Sequence, residues 1–216
     1  MSVGSSDKGL LTPDNCTAIF IDHQTEMFLD CPWMAGGDLL NNLLVLAKAT
    51  KIFGVPVILT TLVSTRFRGE ITPRLRELFP GQAPIERSSM NAWDNRDVRD
   101  AVKRAGRKNL IFSALSSEVG LTMPALHALA DGYGVYAVLD ASGSASRIAY
   151  DAAVRRIEQA GGVSTTAVQV LLELQRDWAR EEHSEEVIAV LNEHRCAYAM
   201  TQCRSKTAQD SSPTHE

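Results

Sequence analysis

Six short apolar runs alternate with longer amphipathic segments along these 216 residues, and no other feature limits the fold as sharply. The runs are CTAIFID (Cys16–Asp22), PVILTT (Pro56–Thr61), a brief one in APIERSS around Arg87, KNLIFSAL ending at Leu115, YGVYAVLDAS ending at Ser142, and VSTT ending at Thr166. Each has the length of one strand, and the runs at Cys16, Pro56, Lys108 and Tyr133 are apolar at consecutive positions, so both of their faces need cover. Between them lie helical patterns. DLLNNLLVLAKATKIF sets Leu39, Leu40, Leu43, Leu44, Leu46 and Ala47 at helical spacing, with Asp38 as candidate N-cap and Gly54 as stop. ITPRLRELF, NRDVRDAVKRAG, SEVGLTMPALHALADG, RIAYDAAVRRIEQAGG, AVQVLLELQRDWA and SEEVIAVLNEHR supply further helices. Strands that are each followed by a helix predict an α/β protein with a parallel sheet covered on both faces. The spacing predicts one domain over residues 1–216, with polar tails at 1–14 and 201–216.

Several function classes are disfavoured at once. The net charge of −4 gives no electrostatic reason to expect nucleic acid or an anionic membrane as partner. No apolar run approaches the roughly 18 residues of a spanning helix. The polar start, MSVGSSDKGLLTPDN, lacks the pattern of a signal peptide, so a cytoplasmic protein is expected. Cys16, Cys31, Cys196 and Cys203 form no C-x-x-C pair and have no histidine at zinc-finger spacing, so neither a metal site nor a cofactor is expected. Neither Gly-x-Gly-x-x-Gly nor Gly-x-x-x-x-Gly-Lys occurs, which argues against dinucleotide and phosphate-loop binding.

In open parallel sheets, ligands bind beyond the carboxyl ends of the strands. Asp22 ends the first run, and a partly desolvated carboxylate there suits general acid or base work. An aspartate capping the next turn has the same sequence appearance. Arg87 leaves the third run and can hold Asp22 or a substrate carboxylate, or simply face solvent. Trp93 in NAWDN can wall a pocket or pack in the core. His23 has no second histidine nearby to share a metal. Cys31 follows the first strand and can face a pocket. Ser116 and Ser117 lack the Gly-x-Ser-x-Gly of a serine nucleophile, and Ser117 reads as a helix N-cap with Glu118 in the first turn. Gly120 carries no side chain at the tip of this turn; its plainest reading is close backbone approach.

The segments AIFIDHQTEMF, APIERSSMNAWDN, ALSSEVGLTMPALHALADGYGVYAVLDASGS and AGGVSTTAVQVLLELQRDWA, in this order, resemble the isochorismatase-like hydrolase superfamily, and within it a branch of bacterial cysteine hydrolases. The resemblance covers about Asn15 to Ala179. It implies a doubly wound six-stranded sheet in the order 3-2-1-4-5-6, a small-molecule substrate and a homo-oligomer. It maps the catalytic acid–base onto Asp22, the basic residue onto Arg87 and the nucleophilic cysteine onto Gly120. It implies backbone N–H groups of Ser116 and Gly120 as an oxyanion hole and a cis peptide between Leu115 and Ser116. His23, Trp93 and Glu118 are expected to line the substrate pocket. Glycine cannot form a thioester, so the chain departs from the cysteine mechanism. True isochorismatases resemble it in having glycine there. The expectation is a metal-independent hydrolase in which Asp22 is acid or base and water is the nucleophile. The alternative is a catalytically degenerate member that binds a ligand or serves in assembly.

Overall fold

A computed structural model describes residues 9–63 and 69–195. Residues 1–8, 64–68 and 196–216, which include much of both expected tails, Cys196 and Cys203, lie outside the described residues.

The apolar runs form β1 (Cys16–Ile21), β2 (Val57–Leu62), β3 (Ile85–Arg87), β4 (Asn109–Ala114), β5 (Gly134–Val138) and β6 (Val163–Thr165). They make one parallel sheet in the order β3-β2-β1-β4-β5-β6. The helices are α1 (Gly36–Ile52), α2 (Pro73–Leu78), α3 (Arg96–Ala105), α4 (Thr122–Ala130), α5 (Arg147–Gln159), α6 (Ala167–Gln175) and α7 (Ser184–Glu193). Successive strand residues point to opposite faces, so a continuous apolar run feeds two cores. On one face Ala18 and Phe20 of β1 pack with Leu43 and Leu46 of α1, Val170 and Leu171 of α6, and Val187 of α7. On the other, Ile19 and Ile21 join Phe112 of β4, Val102 of α3, Ala125 of α4 and Ile157 of α5.

Local chemistry sets the helix ends. The Asn95 side chain accepts from Asp97 N–H at 2.8 Å and Val98 N–H at 3.2 Å at the start of α3, and Gly106 ends it at φ 68°. Ser146 and Thr166 cap α5 and α6 in the same way. Three boundaries differ from the sequence reading. α1 begins at Gly36, which puts Asp38 in its first turn rather than at its cap. α6 stops at Gln175, because Arg176 takes φ 64° and donates to Leu11 O at 2.8 Å. α4 begins only at Thr122, after one wide turn over Ser117–Leu121 with i→i+5 bonding.

Candidate active site

β1 ends where Asp22 takes φ 59°, a left-handed backbone that turns the chain out of the sheet. Its N–H still donates to Thr60 O on β2 at 3.1 Å, which fixes the side chain at the carboxyl end of the sheet. β3 ends at Arg87, in register with Leu62. The two side chains meet as a buried ion pair, Arg87 Nη2 to Asp22 Oδ2. The rest of the guanidinium is tied to protein: Nε donates to Thr60 Oγ1 at 3.3 Å, and Nη1 to Met90 O at 3.2 Å and to Ser89 O. Arg87 is thus held as a rigid partner to the acid. Asp22 Oδ1 is buried and has no hydrogen-bond partner. Burial pushes the Asp22 carboxyl up to about 6, because loss of water outweighs the attraction of Arg87.

His23 is fully enclosed. Ser113 Oγ donates to Ala141 O at 2.6 Å, so the His23 Nε2–H can donate to Ser113 Oγ at 3.0 Å. Burial lowers its pKa to about 4, which keeps the ring neutral. The histidine therefore ties the end of β1 to β4 and to the turn after β5.

The turn after β4 is built on that same turn after β5. Ser117 donates both its N–H and its hydroxyl to Gly143 O, each at 2.7 Å. Its hydroxyl is therefore not the helix N-cap that the sequence suggests. Ser116 stands at φ 55°, and its N–H donates to Cys31 Sγ at 3.4 Å. Gly120 N–H donates to Ser116 O at 2.7 Å. Both donors assigned to an oxyanion hole are thus engaged within the protein. No cis peptide bond occurs among the described residues, so the Leu115–Ser116 link differs from the one the resemblance implies. Glu118 reaches across to Ser144 Oγ and to Ala145 N–H at 3.4 Å. Trp93 is buried, donates Nε1–H to Asp131 at 2.7 Å and sets its ring edge-on to Phe112 and Tyr133. It packs β4 against α4.

Gly120 answers a steric demand. A Cβ built there would lie 2.5 Å from Leu115 O, closer than real Cβ contacts allow. A cysteine at 120 would have to displace that carbonyl. Cys31 is buried against Leu39 and Leu115, and burial raises its thiol pKa. Sequence reasoning placed Cys31 near a strand end but gave no sign that it meets Ser116; nor did it single out Ser113 or Gly143. The contacts join residues 26 to 90 positions apart, and no local pattern encodes them.

Among the described residues, no group of three His, Cys, Asp or Glu side chains is placed to hold a metal ion. A large open groove of about 1100 Å³ runs elsewhere, between α1, α6 and the end of α7, lined by Asn41, Gln169, Arg176 and His194 among others. It does not include Asp22, Arg87 or Gly120.

Residues 16–169 match the isochorismatase domain. The chain is 36% identical over 172 residues to "Probable hydrolase YcaC" of Escherichia coli, covering 79% of this chain and 83% of that one. It superposes on YcaC from Pseudomonas aeruginosa, solved with hexane-2,5-diol and covalent acrylamide, with TM-score 0.87 and 32% identity over 94% of this chain and all of that one. The crystal structure of Escherichia coli YcaC, described as an octameric hydrolase of unknown specificity, matches with the same score, identity and coverage. With its 3-2-1-4-5-6 parallel sheet, the chain belongs to the isochorismatase-like hydrolase superfamily.

Proposed function

We propose that this chain hydrolyses a small metabolite without a metal, with Asp22 as acid and base and water as nucleophile. One observation carries the reading: Asp22 keeps a buried oxygen, Oδ1, without a partner while Arg87 binds the other. With a pKa near 6, the group exchanges a proton with water or substrate close to neutral pH. Arg87, held by Thr60, Ser89 and Met90, offsets the carboxylate charge and orients it. The β4 turn offers no side-chain nucleophile at Gly120, which favours water over a covalent intermediate. Both a vinyl ether, protonated by Asp22, and an activated amide suit this arrangement.

A panel of isochorismate, nicotinamide and small amides tests it. Asp22→Asn keeps a neutral hydrogen-bonding group beside Arg87 and is expected to lower kcat/KM by about 100-fold or more. Undiminished turnover by that variant would refute the mechanism.

The engaged N–H groups of Ser116 and Gly120 favour a second reading, a member that binds its ligand without turning it over. Wild-type turnover of any compound in the panel excludes it. The Escherichia coli relative is an octamer, and we extend homo-oligomeric assembly to this chain as part of the proposal. The proposal keeps the chain as one domain in the cytoplasm; no helix among the described residues is long and apolar enough to cross a membrane.

A further inference from the structure

The carbonyl of Leu115 is the clearest unexplained polar group at this site. Leu115 is fully buried, and among the described residues no N–H or O–H donates to its oxygen. Buried backbone carbonyls nearly always have a partner, in protein or in ordered water. The contact that Leu115 O does show is with Gly120: it occupies the space where a Cβ at 120 would stand. That contact with a glycine Cα is at most a weak C–H···O interaction and leaves lone-pair capacity on the oxygen.

Strand register sets the backbone of Leu115 beside that of Asp22. Ile21 pairs with Ala114, and Leu115 N–H donates to Ile21 O at 3.2 Å. Asp22 and Leu115 are therefore the residues that follow the last paired positions of the neighbouring strands β1 and β4. Asp22 contributes a second buried acceptor without a donor, Oδ1. A water molecule has two hydrogens to give and keeps a lone pair for attack.

We propose that Leu115 O is a positioning group of the active site: with Asp22 Oδ1 it accepts the two hydrogens of the attacking water, and Gly120 is present so that this carbonyl can stand where the superfamily's nucleophile has its side chain. The proposal rests on the hydrolytic reading above. In the step it serves, the water oxygen bonds to the electrophilic carbon of the substrate while one water proton passes to Asp22 Oδ1. The bond to the leaving group then breaks, and Asp22 returns that proton to the leaving atom. Leu115 O holds the other hydrogen and is unchanged. A side chain at 120 would push the carbonyl aside and misplace the water without altering Asp22 itself.

A high-resolution crystal structure of the wild-type protein, at about pH 7.5 where Asp22 is ionised, tests the water site directly. The expected result is one ordered water within about 2.6–3.2 Å of both Leu115 O and Asp22 Oδ1. A protein donor on Leu115 O, or no water shared by the two atoms, overturns the proposal. Kinetics supply the second arm, with the most active compound of the panel. Gly120→Ala is expected to lower kcat by about 100-fold with KM nearly unchanged, as for a nucleophile displaced by about 1 Å. The acid limb of its pH profile should stay where the wild type has it, because Asp22 is intact. If Asp22→Asn loses activity while Gly120→Ala keeps it, the role of Leu115 O fails and the hydrolytic reading stands. If Asp22→Asn keeps full activity, the hydrolytic reading fails as well. Should Gly120→Ala not fold, the wild-type water position alone decides.

Discussion

Asp22 and His23 are adjacent, both buried, and respond to pH in opposite directions. The folded state raises the carboxyl of Asp22 from 3.8 to about 6, so it binds more protons there than the unfolded chain. That contribution to stability is fully present below about 3.8 and is lost as pH rises through about 6. His23 is lowered from 6.5 to about 4, so its contribution is present above 6.5 and is lost as pH falls through about 4. The two windows overlap and largely offset each other. His23→Gln, which can still donate to Ser113 Oγ, removes only the histidine part. Relative to wild type, this variant should gain roughly 2–3 kcal/mol between neutral pH and pH 4. Urea midpoints at both ends of that range measure the gain, and a difference that does not change with pH would show an ordinary histidine. Asp22 was legible in the sequence because a carboxylate ending an apolar strand is unusual. The fully enclosed state of His23 was not, because its partners are Ser113 and the Ala141 carbonyl, far away in the chain.

At the scale of elements, the strands were legible and the turns between them only in outline. A buried parallel strand has a local signature, continuous apolar residues, and β1, β2, β4 and β5 were readable for that reason, whereas the three-residue edge strands β3 and β6 were read from their place between helical patterns. The caps at Asn95 and Gly106 are local too. The β4 turn is not: its shape depends on the turn after β5, through Gly143 O and Gly143 N–H, which donates to Ala114 O at 3.1 Å. Gly143 is also where Cys31 and Leu39 press in. A Cβ there would lie 2.8 Å from Cys31 Cβ and 2.9 Å from both Cys31 Sγ and Leu39 Cδ2. Gly143→Ala should therefore destabilise the fold by about 1–3 kcal/mol. The damage should travel to the β4 turn, with faster hydrogen exchange at the Ser117 amide, whose acceptor is the Gly143 carbonyl. Unchanged exchange at Ser117 would show that the two turns are independent.

Across the whole molecule, the sheet order places the loops after β1, β3, β4 and β5 at one end, and large apolar side chains are exposed on the segments that start there. Leu29 and Ile148 are about four-fifths exposed (80% and 81%), and Trp33, Met90 and Met123 are exposed on the same set of segments. Arg147 lies over the Trp33 ring, 5.6 Å from its centroid, so the segment after β1 and the start of α5 meet there. A lone exposed leucine needs no explanation, but several large apolar side chains on one end of a sheet mark a contact surface. Assembly of this chain with copies of itself would cover them. Sedimentation of the wild-type protein at micromolar concentration should then show a species well above the monomer mass. Ile148→Asp paired with Leu29→Asp places two charges on the surface and touches neither Asp22 nor Arg87. That double variant should shift the distribution toward monomer while leaving the far-ultraviolet circular dichroism unchanged, because both side chains are already in water in the single chain. A wild-type monomer would refute the assembly; a double variant that assembles as the wild type does would place the contact on another face.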